Sequence, residues 1–399
     1  MATTMQQMRA WQGPALWSYG FRPFFLSAGV WALVTIALWV PWYLGLITLP
    51  SAFVPMDWHI HELLFGYVPA VIAGFLLTAV PNWTGRLPVV GWRLIGLFSL
   101  WVLGRVAVAS SIFLPAWLTG VASVAFLVAL AIMATREIIA GKNYRNLRIV
   151  VLVTLLAAAQ TGFHAEAAFR GQTVLSSRFG IAAAILLISV VGGRIIPSFT
   201  TNWLMRQPQG TMPRQFSHYD GATLAVSALA LLLWSALPAL PAGFAAPVSG
   251  VLALAGLMQG WRLIRWAPQR TGSEALVWVL HAAYAFIPLG FLLAGHAAMW
   301  DAIGAHQAAV HAWTAGTIGL MTLAVMTRAT RGHTGNALTA SPGTTALYLA
   351  IISAALVRIA AALLPDAAPL LLQISGALWV AGFALFVALY GPMLTRART

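Results

Sequence analysis

Twelve apolar runs, each around 20 residues long, follow one another along this chain with only short polar breaks between them. They fall near 24–46, 58–80, 93–112, 115–134, 148–168, 178–197, 220–238, 246–264, 274–294, 305–327, 344–364 and 370–390. A helix of about 20 apolar residues spans the hydrocarbon core of a bilayer. Inside lipid a backbone must satisfy its own hydrogen bonds, so such runs fold as helices. The fold class is therefore all-α and polytopic, with about twelve transmembrane helices. No polar stretch is long enough for a separate soluble module, so residues 1–399 read as a single twelve-helix domain. Only 8% of the 399 residues are charged, against about 25% in a soluble domain.

The net charge of +14 does not point to nucleic acid, because the basic residues sit at the ends of apolar runs. They are dense in alternate connections: Arg9 and Arg22, Arg86 and Arg93, Arg136 to Arg148, Arg206 and Arg214, Arg265 and Arg270, Arg328 and Arg331, Arg396 and Arg398. The opposite loops at 47–57, 239–245 and 295–304 carry no Lys or Arg. The loop holding Arg170 is the exception. By the positive-inside rule both termini face the cytoplasm, and the partner on every side is the lipid bilayer. The uncharged loops face the other side, which is the periplasm if the membrane is a Gram-negative inner membrane. No cleavable leader is evident.

There is no cysteine. Disulfides, thiolate-bound zinc, iron–sulfur clusters and thiolate-ligated haem are thereby excluded. Nine histidines stand against eight acids. Ionisable groups are costly in lipid and mark pathways or ligand sites. The orientation places His59, His61, Glu62, His164, Glu166, His306 and His311 toward the outer face, with Arg105, Arg178 and Arg358 at similar depth. His281 lies deeper in the ninth run. His218, His296 and His306 read as interfacial residues.

A weak repeat links runs two, six and ten, which end VPNWTGR (80–86), IPSFTTN (196–202) and MTRATRG (326–332). His61 precedes Pro81 by twenty residues and His311 precedes the aligned Thr327 by sixteen. That offset of four is one helical turn, which puts both imidazoles on the same face of related helices. They are the candidate axial ligands of a haem. His59 and His61, two apart, point about 200° away from each other on a helix. His59 is therefore placed in the preceding loop, as a ligand of a second metal or a haem propionate. His164 is a candidate copper ligand, and His281 a further cofactor candidate. Arg105 and Arg358 suit propionates, since a guanidinium matches a carboxylate bidentately. Glu62 and Glu166 read as acceptors behind the ligands, Glu62 orienting a histidine and Glu166 pairing with an arginine. At the cytoplasmic ends, Asn82, Arg86, Arg194, Asn202, Arg328 and His333 form a polar cluster. It binds an anion or a quinone head group, docks a partner, or caps helix ends.

Several stretches resemble the NnrS family of bacterial membrane proteins. They are GFRPFF (20–25), WHIHELLFGYVPAVIAGFLLTAVPNWTGR (58–86), GGRIIPSFTTNWL (192–204), HAWTAGTIGLMTLAVMTRATRGHTG (311–335) and, more weakly, HAAYAFIPLG (281–290). Leu64 departs from the family, which commonly has Met there. The resemblance implies a haem- and copper-containing inner-membrane protein linked to denitrification and nitric-oxide resistance. Its small ligand would be nitric oxide, with an electron donor still to be identified. At the level of fold alone, twelve spans in a threefold pseudo-repeat also resemble the haem–copper oxidase catalytic subunit. The copper-site histidines of that subunit are absent here, since runs 178–197 and 220–238 contain no His. The rival reading is a transporter or membrane sensor without redox catalysis. A haem or copper chaperone is a third.

Overall fold

A computed structural model describes residues 11–397. Arg9 and Arg398, used above for orientation, lie outside the described residues. Twelve helices among them are long and apolar enough to cross a membrane. They are α1 Phe21–Tyr43, α2 Pro55–Thr84, α3 Trp92–Ala109, α4 Ala116–Ala140, α5 Leu147–Arg170 and α6 Val174–Leu204. Then follow α7 His218–Ala236, α8 Ala245–Ile264, α9 Ala275–Trp300, α10 Ile303–Thr334, α11 Pro342–Leu363 and α12 Ala368–Thr395. Among the described residues there is no β-strand.

α2 begins earlier than the apolar run does. Pro55 sits in its first turn, where a missing N–H costs nothing, and Asp57 favours the same helix end. His59 is therefore helical and not in a loop as expected. Prolines inside α6 and α12 (Pro197 and Pro392) do not end those helices, which run to 31 and 28 residues. Either one is longer than a bilayer core of about 30 Å needs at 1.5 Å per residue.

Two helices contain a wide turn. α2 is π-helical over Glu62–Tyr67, and α10 over Ala312–Gly319. In α2 the cause is legible. Pro69 has no N–H for the carbonyl one turn before it, and the Val68 N–H reaches five residues back to Leu63. In α10 the segment holds Gly316, Gly319, Thr314 and Thr317, all poor helix formers. A Cβ on Gly316 would lie 2.4 Å from the Phe286 ring, and one on Gly319 would lie 2.7 Å from Trp379. His61 and His311 are each the last α-helical residue before the wide turn. α6, the third member of the sequence repeat, is α-helical throughout. Likeness between α2 and α10 thus extends to this local feature, and α6 does not share it.

Contacts divide the chain into two compact units. The first holds residues up to 180 with 329–337 and 383 onward; the second holds 181–328 and 338–382. In the first, the GFRPFF stretch is a fastening. Arg22 is buried and donates to the carbonyls of Met393, Leu394 and Arg396 at 3.2, 3.1 and 2.6 Å, which closes the C-terminal end of α12. Phe24 packs on Phe98 and Phe126. Phe25 fills the space that a Cβ on Gly74 would need. Just ahead of α1, Tyr19 meets His333 edge-on, and burial pushes its phenol up to about 12, so it stays a donor.

The second unit is organised round a buried ion pair. A capping box between Ser217 and Asp220 starts α7. Asp220 then accepts from Arg262 Nε at 2.9 Å, and Arg262 Nη1 donates to the Tyr284 hydroxyl at 2.9 Å. Tyr284 donates to Gln259 at 2.5 Å, and Gln259 donates to Ser227 at 2.8 Å. A Cβ on Gly193 would lie 2.1 Å from Arg262 Nη2. The guanidinium is held by its other bonds and cannot retreat. Gly193→Ala should therefore lower the melting temperature of the detergent-purified protein, by the equivalent of about 2 kcal/mol. An unchanged melting temperature would mean that this network is loose.

Candidate metal centre

Four helices of the first unit bring one polar cluster together. α2 contributes His61 and Glu62, both fully buried. α3 contributes Arg105, α4 contributes Ser123, and α5 contributes Gln160 and His164. Gln160 and His164 are four apart and so share a helix face. Small residues allow the approach. A Cβ on Gly66 would come within 2.5 Å of Arg105 Nη1, and one on Gly104 within 3.1 Å of the Ser123 backbone. Trp101, one turn before Arg105, donates to the Gly66 carbonyl at 2.9 Å inside the π-helical segment.

The hydrogen bonds dictate the protonation of His61. Arg105 Nη1 lies 2.7 Å from both oxygens of Glu62. A guanidinium so placed keeps the carboxylate ionised, and an ionised carboxylate only accepts. His61 Nδ1, 2.8 Å from Glu62, must then carry the proton. In the neutral ring Nε2 is left with its lone pair. That atom faces His164 Nε2 at 3.2 Å and Ser123 Oγ at 3.2 Å. Ser123 Oγ in turn accepts from Gln160 at 2.7 Å and from Arg105 Nη2 at 3.4 Å. The rings of Phe53, Phe65 and Phe163 surround His61 at 5.7, 5.6 and 5.4 Å between centroids.

This pair can be tested against the groups that histidines hold. Two nitrogens on one ion, each about 2.0 Å away, lie about 3.3 Å apart at a tetrahedral angle. Axial nitrogens on opposite faces of a haem lie about 4 Å apart in a straight line through the iron. The observed 3.2 Å fits one small ion bound by both rings, and leaves no place for a haem between them. The Glu62 bond behind His61 is the carboxylate–histidine arrangement that fixes a ligand's tautomer and raises its basicity. Among the described residues no group of three or more His, Asp or Glu is arranged to hold a metal ion.

The other expected residues are placed as follows. His59 stacks on Trp39 at 4.0 Å, and His306 stacks on Trp234 at 6.0 Å. Arg105 donates through Nη1 to Glu62 and through Nη2 to Ser123. Glu166 accepts from Ser176 N and Oγ at 2.9 and 2.5 Å at the start of α6. His311 belongs to the second unit and His61 to the first. Its Nδ1 donates to the Gln307 carbonyl at 2.7 Å, which also leaves the lone pair on Nε2. His281 Nε2 is 2.9 Å from Thr200 Oγ1, and its buried Nδ1 has no hydrogen-bond partner. Of the polar cluster, Asn82, Arg86 and His333 lie in the first unit, and Arg194, Asn202 and Arg328 in the second. Asn82 bonds to Thr78 O, Arg86 pairs with Glu137, and Arg328 lies over the Phe199 ring.

A family model described as NnrS protein matches residues 15–398, nearly the whole chain. The chain belongs to the NnrS family. That family is linked to the nitric-oxide response and associated with haem and copper. No curated protein and no solved structure matches the chain. The residue-level chemistry therefore rests on the geometry above. Sequence reasoning missed Ser123 and Gln160, although the spacing of Gln160 to His164 was a usable signal. It also missed Asp220, Arg262 and Tyr284, polar residues set in or at the ends of apolar runs.

Glu62→Gln keeps the shape and removes the charge, which leaves Arg105 buried with no counter-charge. The loss of stability should be about 3–5 kcal/mol. The double variant Glu62→Gln/Arg105→Met should recover part of it in thermal unfolding. A double variant no better than the single one would show that the pair is not the source of the loss.

Proposed function

We propose that this chain is a haem- and copper-binding protein of a bacterial inner membrane that acts in nitric-oxide metabolism or nitrosative-stress defence, with both termini cytoplasmic. The His61–His164 pair carries the reading. Imidazole suits copper, zinc, iron and nickel, and three points favour monovalent copper among them. The pair offers two neutral nitrogens and no uncommitted carboxylate, since both oxygens of Glu62 are engaged. Zinc asks for about four ligands, whereas Cu(I) accepts three; the bent 3.2 Å arrangement supplies two imidazoles and leaves one position for a small external ligand. The cost of burying an ion also grows with the square of its charge, so a divalent ion costs about four times as much in the same apolar box.

Haem is assigned to the second unit. His311, its Nδ1–H donated to a backbone carbonyl, is the axial ligand supported best, because such a bond fixes the lone pair on Nε2. His281, with its buried Nδ1 lacking a hydrogen-bond partner, is the second candidate. Arg358 lies in the same unit and is proposed for a propionate. A bound haem supplies an iron that takes diatomic ligands and exchanges single electrons. His61, expected from the sequence as the partner of His311, turns its lone pair to His164 and is reassigned to copper. His59 holds its place through Trp39.

The transporter reading gains nothing specific. Both wide turns keep helical bonding and expose no unwound backbone of the kind that coordinates substrates in broken helices.

The test is the metal and haem content of protein purified from cells supplied with both. Wild type should carry copper and show a Soret band. His61→Ala and His164→Ala should each lose the copper and keep the haem; His311→Ala should do the reverse. Copper retained in both of the first two variants would reduce the pair to a hydrogen bond. A wild-type protein with neither group would overturn the whole reading.

A further inference from the structure

Ser123 is buried beside His61, and its hydrogen bonds leave it one thing to offer. A serine hydroxyl has two lone pairs and one proton. Gln160 Nε2 donates to Ser123 Oγ at 2.7 Å and to the Ser123 carbonyl at 3.2 Å. A carbonyl only accepts, so this second bond fixes which end of the Gln160 amide faces Ser123. Arg105 Nη2 donates to the same Oγ at 3.4 Å. Both lone pairs are thereby engaged, and the hydroxyl keeps its proton to give. The acceptor it meets is His61 Nε2 at 3.2 Å.

In the proposed copper site of His61 and His164, on which this assignment rests, the ion takes that lone pair. A lone pair bound to a metal ion no longer accepts a hydrogen bond. The Ser123 hydroxyl then loses its acceptor while its two donors stay. It does not bind the ion in turn, because its own lone pairs remain occupied. A buried donor left without a partner is costly, so the loaded site calls for an acceptor that enters from outside. That molecule has to be small, since the rings of Phe53, Phe65 and Phe163 surround His61. It also has to fill the position that two imidazoles leave on Cu(I). A diatomic bound end-on meets these demands. Cu(I) pushes electron density onto the outer atom of such a ligand, and a donor held nearby in an apolar setting stabilises that charge. Gln160 and Arg105, by donating to Ser123, polarise its O–H further. We propose that Ser123 donates a hydrogen bond to a diatomic ligand on the third position of the copper site, with Gln160 as the residue that positions its hydroxyl.

Infrared spectroscopy of the full-length, copper-loaded and reduced protein tests it, with carbon monoxide as the diatomic probe. The copper carbonyl band is the one lost in His61→Ala. A donated hydrogen bond lowers the C–O stretching frequency. Ser123→Ala should keep its copper, raise that frequency and weaken carbon monoxide binding about fivefold, the usual effect of losing one neutral hydrogen bond. Ser123→Thr, which retains a hydroxyl, should stay near the wild-type frequency. Deuterium oxide should shift the wild-type band and leave that of Ser123→Ala in place. Gln160→Leu should move the band part of the way with its copper content unchanged. A copper carbonyl at the same frequency in wild type and Ser123→Ala would overturn the proposal and leave the metal site standing. So would loss of copper in Ser123→Ala, which would make the hydroxyl a ligand. Wild-type protein without copper would overturn the metal reading and this proposal together.

Discussion

Arg105 and Glu62, in contact at 2.7 Å and sealed inside apolar helices, set the terms for everything near them. Neither charge could stay in such surroundings alone, because burying an unpaired charge costs several kcal/mol. Together they lock Glu62 in its ionised form and so decide which nitrogen of His61 carries the proton. The adjacent sequence serves that contact. Gly66 gives the guanidinium room, Trp101 ties the backbone of α2 to α3, and the wide turn forced by Pro69 begins directly after His61. The result is an imidazole whose free nitrogen is basic, oriented and turned toward a second imidazole.

The second unit holds a buried pair of the same kind without a histidine in it. Asp220 and Arg262 are joined through Tyr284 and Gln259 to Ser227, and Gly193 stands to Arg262 as Gly66 stands to Arg105. Two stretches that marked the family resemblance, 58–86 and 192–204, thus each contain a glycine that makes room for a buried arginine from another helix. Their chemistry differs. In the first unit the pair fixes the proton of His61 on Nδ1. In the second it knits α6, α7, α8 and α9 together, while His311 and His281 lie elsewhere on α10 and α9.

Much of the fold was legible because lipid leaves so few options. Apolar run length marked all twelve helices, and charge at their ends marked where they stop. The errors were local. Pro55 starts α2 early and makes His59 helical, although the apolar run begins only later. The wide turns depend on one proline and on side chains from other helices, which periodicity does not reveal. For the candidate site, His61, Glu62 and His164 stood out as ionisable groups in apolar runs. Which of them meet did not. His164 is 103 residues from His61, and only the packing of α5 against α2 and α4 brings it there. That Arg105 meets Glu62 was not legible either, because the two lie on different helices at depths that counting residues cannot resolve. The common position of His61 and His311 before a wide turn follows the repeat seen in the sequence. Their different neighbours show that position in a repeat does not fix a histidine's partner.

The central claim is that His61 and His164 bind one copper ion through nitrogens held about 3.2 Å apart. X-ray absorption at the copper edge of the purified protein, paired with electron paramagnetic resonance after mild oxidation, addresses it directly. The account predicts two imidazole nitrogens about 2.0 Å from copper and hyperfine splitting from two nitrogens, falling to one in His164→Gln. A copper signal with the same nitrogen count in wild type and His164→Gln would contradict it.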